Sequence, residues 1–205
     1  MTMDGIRRAD YIVWVGNEAL CVRNVKEGES TNIPLRPREE IPYVPRFYAV
    51  WEEGEGGRNG ASCREVFIRA LGGRLRARMS RVVLAVPDDI VWVEKRALED
   101  FALMAGTGGV GRRLFFCPQG EVLRGSGERY IGVTWSSRCW SVSRVREGSA
   151  ERKLHLDIAR SGPEELASAV RTLDAGERLP VYYPGIEDAP LPVDFGSAVS
   201  LEQIF

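Results

Sequence analysis

Residues 81–116 read RVVLAVPDDIVWVEKRALEDFALMAGTGGVGRRLFF, and a strand, a turn, a helix, a glycine stop and a second strand succeed one another in them. Arg81–Val86 is a short apolar run with three valines, the pattern of a strand covered on both faces. Pro87-Asp88-Asp89 breaks that run and offers a carboxylate cap to the helix that follows. Along the helix Val93, Ala97, Phe101 and Ala105 fall on one side, with Leu98 and Ala102 beside them. Glu94, Lys95, Arg96, Glu99 and Asp100 take the opposite side. Gly106 stops the helix, and Leu114–Phe116 begins the next buried strand. Such a unit belongs to a mixed or parallel sheet flanked by helices, so the fold class is α/β.

Upstream, Ala9–Val15 and Ala19–Val25 are β-rich runs joined by Gly16-Asn17-Glu18, a hairpin signal. Pro34, Pro37, Pro42 and Pro45 keep the next stretch extended, and Phe47–Trp51 reads as a third strand. Glu52–Gly60 is a polar linker without means of building a core. Ser62 and Glu65 have capping-box spacing ahead of a helix whose Cys63, Phe67, Ala70 and Leu71 share a face, and Gly72-Gly73 ends it. Leu75–Arg81 follows as a basic loop. Downstream, Tyr130–Trp135 and Cys139–Val145 form a second hairpin around Ser136-Ser137, and Leu154, Leu156 and Ile158 alternate as in a half-buried strand. Ser161-Gly-Pro-Glu-Glu opens a helix with Leu166, Ala169, Val170 and Leu173 as its buried stripe. Leu179–Tyr183 is read as the last strand, Pro184–Asp194 as a proline-rich loop and Ser197–Ile204 as a short terminal helix.

The chain has 205 residues, which suits one domain or one domain with a small appendage, and a net charge of −1, which gives no global attraction to nucleic acid or membrane. The N-terminus MTMDGIRRADY has no signal-peptide pattern and no apolar run reaches membrane-spanning length, the marks of a cytoplasmic chain. Cys21, Cys63, Cys117 and Cys139 lie far apart, as reduced thiols in a reducing compartment do.

The Arg81–Gly106 stretch resembles the corresponding part of the bacterial actin family MreB, where a buried strand ends at a proline turn before a helix of V-E-K-R-A type. Val93-Glu94-Lys95-Arg96-Ala97, Asp100, Ala102 and Ala105-Gly106 carry that pattern here. Upstream VFIRALGGRLRARMSRVV, YIVWVGNEALCV and IPYVPRFYAVW resemble the family's preceding helix and turn, first hairpin and third strand. Downstream RRLFFCPQGEVLRGSGERYIGVTW follows its layout, so the resemblance covers residues 9–145. It implies a ribonuclease H-like core as in subdomain IA of actin-like proteins, lacking most of the second large domain. The expected organisation is a single domain over residues 1–205. Residues 1–51 give the hairpin and third strand, and 52–60 a linker replacing an inserted subdomain. Residues 61–145 give the helix, the strand–helix–strand unit and second hairpin, and 146–205 a strand–helix–strand remainder.

The departures from the family bear on function. Its ATPases grip phosphate with glycine-rich hairpin turns that each carry an aspartate for Mg²⁺. The first motif belongs just before Tyr11, where Gly5-Ile6-Arg7-Arg8 stands. The second falls on Gly132-Val133-Thr134-Trp135-Ser136-Ser137, with a tryptophan for a glycine, and Cys117 replaces a glutamate before Pro118. The expectation is therefore a scaffold or interaction module and not an enzyme, without cofactor unless ATP and Mg²⁺ use a degenerate site. The alternative is an actin-superfamily ATPase or phosphotransferase with a rebuilt phosphate site. Expected partners are proteins or further copies of the chain rather than nucleic acid, with roles in cell shape or envelope organisation. Arg74, Leu75, Arg76, Arg78 and Met79 occupy the loop that meets the membrane in the resembled family. They are the candidate contact with anionic lipid, at the inner face of the membrane, or with an acidic partner.

Other signals read more plainly. Gly106–Gly111 satisfies G-x-G-x-x-G but follows a helix and precedes a strand, the reverse of a dinucleotide site. His155 and Asp157 share a strand face without a third metal ligand or an activated nucleophile. Ser136-Ser137 reads as a turn. Trp92, Trp135 and Trp140 are candidate interface anchors, with a place in the core as the competing reading.

Overall fold

The all-apolar runs Tyr11–Val15 (β1) and Val82–Val86 (β4) are buried at every residue and pair in parallel, Tyr11 opposite Val82 and Trp14 opposite Ala85. They form the middle of a five-stranded sheet in a computed structural model that describes residues 9–35, 41, 43–51, 62–107, 113–124, 128–186, 191, 195–200 and 202–204. The chain divides into two compact units, one of residues 8–86 and 90–116, the other including Pro87–Asp89 and Cys117–Phe205.

In the first unit β2 (Ala19–Asn24) pairs antiparallel with β1, and β3 (Ser30–Pro34) with β2. β5 (Leu114–Pro118) lies beyond β4, giving the order β3-β2-β1-β4-β5. Tyr11, Val13, Val15, Val82, Leu84 and Val86 share one sheet face and pack with α1 (Cys63–Ala70), α2 (Arg74–Met79) and α3 (Trp92–Met104). Phe67 of α1 meets Phe101 of α3 with ring centroids 5.1 Å apart. The capping box of α1 forms as its spacing predicts: the Glu65 N–H donates to the Ser62 hydroxyl and the Ser62 N–H to the Glu65 carboxylate. Gly72 and Gly73, at φ of 76° and 93°, then turn the chain out of α1 in a conformation disfavoured for other residues.

Three local expectations give way here. Arg46–Trp51 is a 3-10 turn, not the third strand, and β3 takes that place. The Tyr48 N–H reaches the Pro45 carbonyl, and the buried Phe47 and Val50 stand three residues apart, the period of a 3-10 turn. The basic loop after Gly73 begins as α2, closed by Ala77 N–H to the Gly73 carbonyl and by the Ser80 hydroxyl on the Arg76 carbonyl. In α3 the buried residues are Glu94, Leu98, Phe101 and Ala102, whereas Val93 is 61% exposed. The face is rotated because Glu94 folds back to accept the Val91 N–H at 3.0 Å, so α3 is capped from within and not by Asp88 or Asp89.

The second unit has its own sheet: β6 (Arg129–Trp135) and β7 (Cys139–Arg146) form the hairpin read from the sequence, and β8 (Ser149–Asp157) adds antiparallel to β7. β9 (Val181–Pro184) runs parallel to β6, and β10 (Ser197–Val199) parallel to β9. Read from the β8 end, the order β8-β7-β6-β9-β10 repeats the first sheet: third, second, first, fourth and fifth strands in chain sequence. Both are mixed sheets flanked by helices, the α/β class expected. The single domain is replaced by two units, because the last sixty residues complete a second sheet instead of forming a remainder. The terminal helix is not formed either: Ser197–Val199 is β10, anchored by the Gly185 N–H on the Val199 carbonyl, so β9 is not the last strand.

The apolar face of the second sheet, with Ile131, Val133, Trp135, Trp140 and Val142, packs against Leu166, Ala169 and Leu173 of α4 (Pro163–Asp174). Gly132 lies on the other face, where an added Cβ would stand 2.7 Å from the Gly120 carbonyl oxygen. A glycine there lets the 3-10 turn Gln119–Glu121 rest directly on the sheet. Glu52–Gly60, Gly5–Arg8 and Gly108–Gly111 lie outside the described residues.

Candidate functional site

Strand alternation decides which side chains meet on that other face. Registers set Thr134 opposite Ser141, Gly132 opposite Ser143, Ser141 opposite His155 and Ser143 opposite Lys153. This is a polar surface in the interior of an α/β unit, and the chain covers it with Asp88, Asp89 and the turn at Gly120.

Asp88, with a side chain 0% exposed, is held by three donors. The Gly120 N–H and the Thr134 hydroxyl reach its Oδ2 at 2.8 and 2.9 Å, and Lys153 Nζ reaches its Oδ1 at 2.8 Å. Lys153 also pairs with Glu121 at 3.1 Å. Burial alone would lower the Lys153 pKa, but the attraction of Asp88 and Glu121 outweighs it and the pKa is raised. The Tyr130 hydroxyl, buried, donates to the Gly120 carbonyl and fixes the turn from below.

Asp89 has a separate set of partners at the β6–β7 turn. Its Oδ2 accepts the Ser136 hydroxyl at 2.9 Å and Arg138 Nε at 2.8 Å, and its backbone carbonyl accepts a second guanidinium nitrogen at 3.1 Å. The Ser136 oxygen accepts the N–H groups of Arg138 and Cys139. Beside it the Ser141 hydroxyl and His155 Nδ1 lie 2.9 Å apart, with the Cys139 sulfur 3.9 Å from the same nitrogen. Burial, then the nearby Asp89 carboxylate, pushes the Cys139 thiol up, so it is held as a thiol and not as a nucleophilic thiolate. Cys117 is pushed up to about 12 by burial in the same way. Among the described residues no cluster of three or more His, Cys, Asp or Glu side chains could hold a metal ion.

The residues read from the sequence as a contact loop stand together on α2 in the first unit. Leu75 is 79% exposed and Met79 54%, one helical turn apart, with the exposed Arg74 and Arg78 beside them. Arg76 is turned instead toward Glu27, which it pairs at 2.7 Å, and lies over the Tyr11 ring. Of the three tryptophans, Trp92 is exposed at the start of α3, between the exposed Val91 and Val93, whereas Trp135 and Trp140 pack against each other in the core. The β1–β2 turn lies at Gly16-Asn17-Glu18, where Glu18 pairs with Arg46. Among the described residues no helix is long and apolar enough to cross a membrane.

The polar face was not foreseen from the sequence. Lys153, Glu121 and Arg138 carry no motif, and Asp88 and Asp89 read as helix caps. The one signal available was the serine and threonine alternation of Thr134, Ser136, Ser141 and Ser143 within otherwise apolar strands.

No family model matches the chain, and no curated protein does. Solved structures do resemble it in fold. MreB5 of Spiroplasma citri bound to AMPPNP is 10% identical with a TM-score of 0.43, covering 82% of this chain and 57% of its own. The AlfA filament bound to AMPPNP is 13% identical with a TM-score of 0.45, covering 86% and 81%. The cytoplasmic domain of EpsL, an inner-membrane component of the type II secretion system of Vibrio cholerae, is 12% identical with a TM-score of 0.42, covering 93% and 87%. The chain thus spans less than two thirds of the length of MreB5. Likeness at this level assigns neither family nor activity.

Proposed function

We propose that this chain is an MreB-like scaffold or interaction module of actin-like fold that does not hydrolyse nucleotide and acts in cell shape or envelope organisation. The observation that carries the reading is the β6–β7 turn, where the resembled ATPases hold phosphate. Here the Ser136 hydroxyl and the Arg138 guanidinium are directed at Asp89. The five charged residues of the polar face, Asp88, Asp89 and Glu121 against Arg138 and Lys153, sum to −1, which disfavours a polyphosphate. The described residues of this face therefore disfavour ATP with Mg²⁺.

Contact in this proposal falls to α2. An exposed leucine and methionine rimmed by arginines suit the headgroup boundary of an anionic membrane: the apolar pair enters and the cations meet phosphate. A protein partner or a second copy of the chain is the other occupant of the scaffold's surfaces. Calorimetry with Mg-ATP tests the first half, with no heat and no phosphate release expected; micromolar affinity with turnover would instead establish the ATPase or phosphotransferase alternative. Flotation with vesicles of anionic lipid tests the second. Leu75→Ser/Met79→Ser is expected to lose most of the bound fraction, and equal flotation of the variant and the wild type would remove α2 from the contact.

A further inference from the structure

Two adjacent acids, Asp88 and Asp89, leave β4 side by side, yet each is held by its own donors. Asp88 is matched by Lys153, Thr134 and the Gly120 N–H deep in the unit. Asp89 is not needed for that network. Its side chain is 12% exposed and that of Arg138 24%, so the pair lies near the surface of the unit, with one edge open to water. Among the described residues, the donors aimed at the Asp89 carboxylate, Ser136 and Arg138, belong to the β6–β7 turn. The Ser136 oxygen accepts two backbone N–H groups, at 3.0 and 3.2 Å, which turns its own hydrogen outward onto the carboxylate. A planar guanidinium and a backbone-oriented hydroxyl converging on one oxygen are the donors that hold a phosphate or sulfate oxygen elsewhere.

We propose that the β6–β7 turn is an oxyanion-binding site whose occupant is the chain's own Asp89 carboxylate, and that Asp89 keeps phosphate-bearing ligands out. A tethered carboxylate competes at an effective concentration of about millimolar or above and loses no translational freedom on binding. Like charge on Asp88 and Glu121 adds repulsion toward an incoming dianion. The inference rests on the reading of the turn as one that does not serve a nucleotide, and it names the residue responsible.

The test is titration of inorganic phosphate, against chloride at matched ionic strength, into the wild type, Asp89→Ser and Asp89→Ser/Arg138→Ala. Thermal unfolding and calorimetry are the readouts. Asp89→Ser is expected to gain thermal stability with phosphate and to bind it about tenfold or more tighter than the wild type, and the double variant to lose that gain. A folded Asp89→Ser without a phosphate response, an equal response in the double variant, or wild-type binding as tight as that of Asp89→Ser would overturn the proposal. If Asp89→Ser does not fold in chloride, recovery of its circular dichroism in phosphate supports the proposal, and failure to recover overturns it. The scaffold reading fails on wild-type ATP turnover and this inference on the Asp89→Ser arm, so the two failures are separate.

Discussion

Gly132 has no room for a side chain, since its missing Cβ would press on the Gly120 carbonyl oxygen at 2.7 Å. Gly132→Ala is expected to cost about 1–3 kcal/mol, the usual penalty of overpacking a rigid backbone contact, read as a lower urea midpoint. Ala175 errs the other way: it closes α4 at φ 51°, a left-handed position where a Cβ is strained. Ala175→Gly is expected to raise stability by about 1 kcal/mol in the same assay. Lys153 gives a pH dependence with a definite sign. Its pKa is raised in the folded chain above the ordinary 10.5, so its stabilisation is complete below that value and is lost as pH climbs through the raised one. Urea midpoints should therefore fall above about pH 10.5 in the wild type, and less steeply in Lys153→Met. These residues were hard to read in sequence because their partners are remote: Asp88 meets Thr134 and Lys153 at separations of 46 and 65 residues. Two aspartates before a helix look like caps when only neighbours are visible.

Elements with strong local signals were legible. The Ser62–Glu65 spacing, the glycine stops, the two hairpins and the Pro163 helix start all stand where the sequence puts them. Ser62→Ala is expected to cost about 0.5–2 kcal/mol through loss of the cap on α1, seen as a lower melting temperature. Elements stabilised from outside themselves were not legible. β10 is three residues long and exists through its pairing with β9, and the turn over Arg46–Trp51 carries a strand-like composition at a period of three. The rotation of α3 has the same cause, since a buried Glu94 that caps its own helix looks in sequence like any member of a charged face.

Across the whole chain, each unit draws on non-contiguous sequence, and the second depends on three residues embedded in the first stretch. A fragment of residues 117–205 would lack Asp88 and Asp89 and leave Lys153 and Arg138 without those partners. Lys153 keeps Glu121, but the Gly120 N–H and the Thr134 hydroxyl lose Asp88 and the Ser136 hydroxyl loses Asp89. Several lost hydrogen bonds at about 1 kcal/mol each are a large part of what a domain of that size has. The fragment is expected to melt without a cooperative transition in circular dichroism, whereas a sharp transition at the whole-chain temperature would contradict that dependence. The general α/β class was visible in Arg81–Phe116, but the number of sheets was not. The second sheet is assembled from strands spread between Arg129 and Val199, and it is completed by β9 and β10, which are only four and three residues long.

The repeated strand order has a consequence for how such a chain diversifies. The central strands of the first sheet, YIVWV and VVLAV, are buried and apolar at every position, while the second sheet turns serine, threonine, lysine and histidine toward one side. The same blueprint has thus been drawn twice with different materials, one copy apolar through its central strands and one polar on one face. Polar raw material for a new ligand lies on that face of the second sheet, and in the reading proposed above its first step would be the loss of Asp89.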